Sequence, residues 1–462
     1  MRKFIRTFAP MNLNINDYEV MAPVGSRESL SAAIKAGADS VYFGIGQLNM
    51  RSHSANHFTI DDLHFIASTC HAHGIKTYLT VNTIIYDDDI SMMRTIIDAA
   101  LEAHITAVIA SDVAVMTYCR EVGMEVHLST QLNISNVEAL RFYSHFADVV
   151  VLARELNLDQ VAHIHRQIAE QAICGPGGKP VRIEMFCHGA LCMAVSGKCY
   201  MSLADANRSA NRGECIQICR RSYLLTDAET GNQIEVDNKY LMSPKDLKTV
   251  RFIDRMMESG VRVFKIEGRA RGPEYVYTVV SVYKEAIRAV INSHQQPSAT
   301  TPNATPQSPL APLFTEEQKD QWDARLATVF NRGFWDGYYQ GQRLGEWNSN
   351  YGSNATEKKQ LVGKVVKFYS RLSVAEVSVE AAEFSVGDRL LITGPTTGAL
   401  WLDADEIRYE LQPVSTAHQR QHVSIPVPEK VRPGDKLFKL ISVAQQATLH
   451  SCNNKLKVSC KQ

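Results

Sequence analysis

The 462-residue sequence predicts an α/β protein: a TIM-type (β/α)8 barrel with a cysteine-rich insertion, followed by a small C-terminal β-barrel domain. Three observations predict it. Between residues 18 and 292, eight short β-rich runs alternate with amphipathic helical runs, as βα units require. Five of the ten cysteines crowd between Cys187 and Cys219, after the seventh of these runs. From about residue 360 the pattern changes to short alternating strands without helices.

The strands are expected at 18–22, 40–44, 76–82, 106–111, 125–129, 148–153, 181–186 and 262–268. Between the first two, "SRESLSAAIKAG" has Ser26 as N-cap and Gly37 as stop. "TIDDLHFIASTCHAHG" opens at Thr59 and closes at Gly74. Further helical runs follow each strand in turn, and "PKDLKTVRFIDRMMESG" supplies the one before the eighth. An open doubly wound sheet is the alternative, but no glycine-rich dinucleotide loop follows the first strand. Strand alternation then sorts the faces. Ile183, Met185, Phe264 and Ile266 face the helices, while Arg182, Glu184, His127, Ser129, Lys265 and Glu267 point into the barrel. Lys265 and Glu267 lie near a strand's C-terminal end, where barrel active sites are built.

This barrel domain is expected over residues 1–292, with the insertion at 187–261. Residues 293–312 are rich in Pro, Ser, Thr and Gln and read as a linker. A helical and aromatic connector follows at 313–358, opened by a capping box at Thr315 and Gln318. A small β-barrel at 359–445 and a flexible tail at 446–462 complete the chain.

Lys+Arg and Asp+Glu both number 49, so bulk charge points neither to nor away from nucleic acid. No apolar run approaches the roughly 18 residues of a membrane span, and the N-terminus lacks a signal-type apolar core. A cytoplasmic protein without a membrane partner is expected, in which thiols stay reduced. Cysteines then serve as core residues, nucleophiles or metal ligands.

Cys192, Cys199, Cys215 and Cys219 are spaced C-x6-C-x15-C-x3-C, in the insertion over the mouth of the barrel. Such a set holds zinc or an iron–sulfur cluster. Only Cys215 and Cys219 match the tight pairs of zinc sites, and the small residues of "GALCMAVSGKC" leave room for a bulky cluster. Spacing leaves both open. His188 is a further ligand, a proton donor or a core histidine, and Cys187 stands outside the spacing.

"EMFCHGALCMAVSGKCYMS" resembles the signature of the collagenase-like U-type peptidases, a family of unassigned mechanism. The resemblance extends through "HLSTQLNISN", "NRGECIQICRRSY", "VFKIEGRAR" and "NRGFWDGYY". It is nearest to the branch that hydroxylates the wobble uridine of tRNA at C5 in a prephenate-dependent reaction. Other branches hydroxylate ribosomal RNA or quinone precursors. The resemblance implies a [4Fe–4S] cluster on Cys192, Cys199, Cys215 and Cys219, with zinc as the alternative metal, and iron–sulfur assembly proteins as partners besides tRNA. Two departures stand out: Cys187 replaces an aliphatic residue, and the 293–312 segment is longer.

Prephenate is a dianion, so Arg51, Arg154 and Arg269 near strand ends are expected to bind it together with Lys265, oriented by Glu155 and Glu267. Lys265, Glu267, Glu184 and His188 are the expected catalytic groups. Arg208, Arg212, Arg220 and Arg221 form a basic collar around the last two cysteines, suited to RNA phosphates. Two other function classes compete. A peptidase is one, although neither H-E-x-x-H nor G-x-S-x-G occurs. A redox sensor or scaffold stapled by the cluster is the other.

Overall fold

The computed structural model of the protein describes residues 14–52, 58–221, 223–236, 242–295, 313–343, 345–348 and 352–443. The expected linker beyond residue 295 and the expected tail lie outside these residues; residues 293–295 complete a helix.

The first half of the barrel comprises β1 (Glu19–Pro23), α1 (Arg27–Lys35), β2 (Ser40–Phe43), α2 (Asp62–His71), β3 (Lys76–Val81), α3 (Ile90–Glu102), β4 (Ala107–Ala110) and α4 (Val113–Val122). It continues with β5 (Val126–Leu128), α5 (Val137–Tyr143), β6 (Val149–Val151), α6 (Leu158–Glu170) and β7 (Arg182–Gly189). The insertion contributes α7 (Met201–Ala206), a hairpin of β8 (Tyr223–Thr226) and β9 (Gln233–Val236), and β10 (Asp246–Lys248). After α8 (Ile253–Glu258), β11 (Val261–Ile266) closes the barrel by pairing in parallel with both β1 and β7. All eight expected strands are present.

Local sequence explains the element ends. Ser26 accepts a hydrogen bond from the Ser29 amide at the start of α1. Asn157 and Gln160 form a reciprocal capping box on α6. α2 begins three residues later than the opening at Thr59, because Thr59 donates to the Asp62 carboxylate instead of capping the helix. "PKDLK" departs from the expected helix. Its Asp246–Lys248 segment pairs antiparallel with the end of β7, whose backbone extends past the neighbouring strands.

Two apolar layers hold the barrel. Outward residues such as Val20, Ile183, Phe264 and Ile266 pack beneath the helices. Met21, Tyr42, Tyr78, Ala107, Ile109, Val149 and Val263 fill the interior. A buried polar layer lies among them: Glu19 accepts from Tyr78 at 2.7 Å and pairs with Lys76 at 3.0 Å and Arg182 at 3.4 Å.

α9 (Pro273–Gln295) and α10 (Glu316–Thr328) follow, the second capped by Thr315. β12 (Phe334–Trp335) adds to β10, so the aromatic connector docks on the barrel. There Tyr339 donates to the Phe186 carbonyl at 2.9 Å.

The C-terminal strands are β13 (Glu357–Tyr369), β14 (Val374–Val379), β15 (Phe384–Ser385), β16 (Arg389–Gly394), β17 (Gly398–Asp403), β18 (Arg408–Tyr409), β19 (Gln412–Pro413), β20 (Thr416–Ala417), β21 (His422–Pro426) and β22 (Lys436–Ser442). They form antiparallel sheets around a separate core that includes Val365, Val377, Leu390 and Leu437. The β16–β17 hairpin rests on α1, where Ser31 donates to the Pro395 carbonyl at 2.6 Å. A Cβ on Gly398 would stand 2.8 Å from the Ala32 amide. Trp401 meets Tyr277 of α9 with ring centroids 5.1 Å apart, so this unit bridges the helices next to the first and last barrel strands.

Candidate functional site

The end of β7 sets the site. Phe186 pairs opposite Lys265 and His188 opposite Ile266, leaving Cys187 as an extra bulged residue. The Cys187 carbonyl accepts from Tyr283 at 2.7 Å and from the Thr249 hydroxyl at 3.0 Å, which fixes the bulge. One added residue reverses the face of everything after it. Glu184 and Phe186 point inward, but His188 turns outward against Tyr275, Tyr283 and Phe334. Burial, helped by Lys248, pushes the His188 imidazole down to about 3. His188 is thus a packed neutral histidine away from the cavity, contrary to its expected catalytic place. Burial also drives the Cys187 thiol well above its ordinary range, and its role is structural.

Past the bulge, the insertion folds back over the barrel mouth. Arg154 donates to the Ala190 carbonyl at 3.2 Å, Asn133 to the Ser196 carbonyl at 3.1 Å, and the Ile84 amide to the Asn211 carbonyl at 3.2 Å. Gly213 adopts a φ of 86°, and a Cβ there would lie 2.3 Å from the Ser52 hydroxyl. Only glycine lets the insertion approach the β2 loop this closely.

Between insertion and barrel lies a cavity of about 180 Å³. Cys192, Cys199, Cys215 and Cys219 all line it, opposite Arg51, Arg154, Lys265, Glu267 and Arg269. The structure therefore gathers the four spaced cysteines and most of the expected anion-binding residues at one place. Burial raises the Cys219 thiol, the other three thiols add to this, and Arg220 opposes it. Among the described residues, no three His, Cys, Asp or Glu side chains are close enough to share a single metal ion. The four cysteines line one cavity as a set of sulfur donors.

The opposite wall is a network of charges. Glu267 pairs with Arg51 at 2.9 Å and accepts from Tyr42 at 3.1 Å. Burial would raise the Glu267 carboxyl, but Arg51, Arg269 and Arg154 outweigh it and hold the group at about 2. Arg269 donates to Thr80 at 2.8 Å and Asn49 at 3.3 Å, and burial lowers its guanidinium. Arg154 lies 3.8 Å from the centre of the Phe186 ring. The Nε atoms of Arg154 and Arg269 are buried and have no hydrogen-bond partner. Deeper in the barrel, Lys265 donates to Glu184 at 2.6 Å, and the other Glu184 oxygen lies 3.9 Å from His127 Nδ1. Glu184 is thus fully buried behind Lys265 and does not itself line the cavity.

Other expected site residues lie elsewhere. Glu155 faces a neighbouring cleft with Trp335, Tyr338 and Trp347. Arg212 is committed to Asp89 and the Ile84 carbonyl and stacks on Tyr86. Arg220 is the exception: it lines the cavity, and it donates to the Leu191 and Pro244 carbonyls inside the insertion. Arg208 and Arg221 remain on the surface, Arg221 near Asp205 at 3.6 Å. Tyr42, Thr80, Asn82 and Gln131 line the cavity without having been expected there. The alternation that places Lys265 inward also reaches Tyr42 on β2 and Thr80 on β3; a polar residue at an inward strand end is the signal.

The sequence matches Peptidase family U32 over residues 25–349. It is 62% identical, over 92% of this chain and 99% of the other, to a Porphyromonas gingivalis protein named collagenase. A Bacillus subtilis protein named tRNA hydroxylation protein P1 is 36% identical over 59% of this chain and 63% of its own. The Escherichia coli 23S rRNA 5-hydroxycytidine C2501 synthase is 34% identical over 61% of this chain and 41% of its own. With the match spanning the barrel, the insertion and the connector, the chain belongs to peptidase family U32.

Proposed function

We propose that this protein hydroxylates a pyrimidine of RNA at C5, with the wobble uridine of tRNA as substrate and prephenate as co-substrate. The observation that carries the reading is one cavity with four cysteines on its roof and a guanidinium–ammonium wall opposite. Relatives named for tRNA and rRNA hydroxylation support it.

Cys192, Cys199, Cys215 and Cys219 would hold a [4Fe–4S] cluster. When bound, the cluster supplies redox and Lewis-acid chemistry that side chains do not offer. The chain's own residues do the rest. Arg154 and Arg269 bring guanidinium groups to the cavity wall for a carboxylate, and Lys265 adds a third cation. Glu267, charged at neutral pH, holds Arg51 and Arg269 in place between binding events. Thr80, Asn82 and Gln131 offer neutral donors and acceptors to the edge of a uracil, and Met50, Ile109 and Phe186 its apolar surroundings. At the rim, Arg208 and Arg221 suit phosphates, and Tyr200, 77% exposed beside Cys199, suits base stacking.

A cysteine peptidase needs a histidine beside its thiol, and among the described residues lining the cavity there is none. Mass spectrometry of tRNA nucleosides from cells with and without the protein tests the proposal. Loss of 5-hydroxyuridine and its derivatives is the expected result. An unchanged tRNA profile refutes it and directs the search to 5-hydroxycytidine in ribosomal RNA, to quinone precursors and then to peptide cleavage.

A further inference from the structure

The guanidinium of Arg220 is turned inward from the collar. Its Nη2 donates to the Leu191 carbonyl at 2.7 Å, and its Nη1 to Ser243 Oγ at 2.7 Å and the Pro244 carbonyl at 2.8 Å. Leu191 immediately precedes Cys192, and Arg220 immediately follows Cys219. The planar fork therefore ties the first cysteine segment to the last, and both to the chain entering β10.

Its charge has neighbours on two sides. Cys219 and Cys192 face it from the cavity, and Arg332 and Asp246 from behind. Arg332 lies 3.5 Å from Asp246, and Arg271 stacks 3.5 Å from the Phe330 ring centre in the same group. Three arginines thus act on one buried aspartate, whose carboxyl burial raises against their combined pull. Arg220, Arg332 and Arg271 thus concentrate positive charge behind the cysteine-lined cavity. Thiolates around a cluster carry net negative charge, more so after reduction. A fixed cation beside them favours the reduced form.

We propose that Arg220, backed by Arg332 and Arg271, is the fixed counter-charge of the four-cysteine centre and sets its reduction potential. It is a positioning residue and not an RNA contact. The inference rests on the cluster reading above and adds to it the residue that tunes the cluster.

The test uses the full chain reconstituted anaerobically with iron and sulfide. Iron and sulfide content, the potential from a mediated dithionite titration read by EPR, and tRNA affinity are measured for wild type, Arg220→Lys, Arg220→Gln and Arg332→Gln. Arg220→Gln should keep its iron and bind tRNA within about twofold of wild type. Its one-electron equilibrium constant for reduction should fall at least tenfold, about 59 mV downward. Arg220→Lys should restore most of the potential, and Arg332→Gln should shift it less and in the same direction. A retained cluster with an unshifted potential in Arg220→Gln overturns the inference, as does a loss of tRNA affinity alone. Should Arg220→Gln lose its iron, Arg332→Gln decides, and an unshifted potential there counts against it. A wild-type chain that takes up no iron and sulfide instead refutes the cluster reading, and this inference falls with it.

Discussion

Replacing Glu267 by Gln keeps the shape of the cavity wall and removes its only carboxylate among the described lining residues. Glu267 has a side chain 15% exposed and pairs with Arg51 at 2.9 Å. Its carboxyl falls from an ordinary 4.5 to about 2 under the influence of Arg51, Arg269 and Arg154. That displacement corresponds to roughly 3 kcal/mol favouring the charged form in the folded protein. A folded-state value below the unfolded one contributes stability that is complete above about pH 5 and disappears as pH falls toward 2. Urea denaturation at pH 7 should therefore show Glu267→Gln less stable than wild type by about 3 kcal/mol, within the range for breaking a buried pair. Repeated at pH 4 and pH 3, the gap should narrow, with more than half of it gone by pH 3. The reasoning is refuted by equal stabilities at pH 7, or by a gap that stays constant with pH.

Four further outcomes are expected. Cys192→Ser and Cys215→Ser, at exposed positions, should abolish iron and sulfide uptake while the unfolding free energy from urea titration changes by no more than about 0.5 kcal/mol. Lys265→Met strands the fully buried Glu184 and should cost about 3–5 kcal/mol, partly recovered in the double variant with Glu184→Gln; calorimetry of both reads this. The His188 ring should show no titration between pH 8 and pH 5 by NMR, since its folded value is about 3; a midpoint near 6.5 would contradict its burial. The pair Arg208→Ala and Arg221→Ala should weaken tRNA binding and reduce its salt dependence by up to about two phosphate contacts, whereas Arg212→Ala should act mainly on stability through Asp89.

Much of this was legible from sequence because the controlling physics is local. Strand alternation in "VFKIE" places Lys265 and Glu267 inward, and the alternating pattern of strands and capped helices yields the barrel. The four cysteines line one cavity because they share one insertion anchored at both ends to adjacent strands, β7 and β11. His188 stayed open between ligand, proton donor and core histidine because the bulge that turns it outward lies beyond the expected strand end at residue 186. The bulge at Cys187 is made by Tyr283 and Thr249, 96 and 62 residues away along the chain. β10 escaped for a similar reason: Asp246–Lys248 is recruited by the overhanging end of β7 and not by its own propensity. Arg212 and Arg220 read as surface charges because nothing near them in sequence reveals Asp89 or the Leu191 carbonyl.

The parallel pairing of Glu19 with Val263 has a consequence during synthesis. At roughly 5–20 residues per second, the closing strand leaves the ribosome some 12–50 s after β1. All four cysteines precede that strand in the chain. The nascent protein therefore presents its thiols while β1 and β7 still lack their shared neighbour. On the proposed cluster reading, delivery would have a window before the last strand shuts the cylinder, and a translational pause near residue 260 would lengthen it.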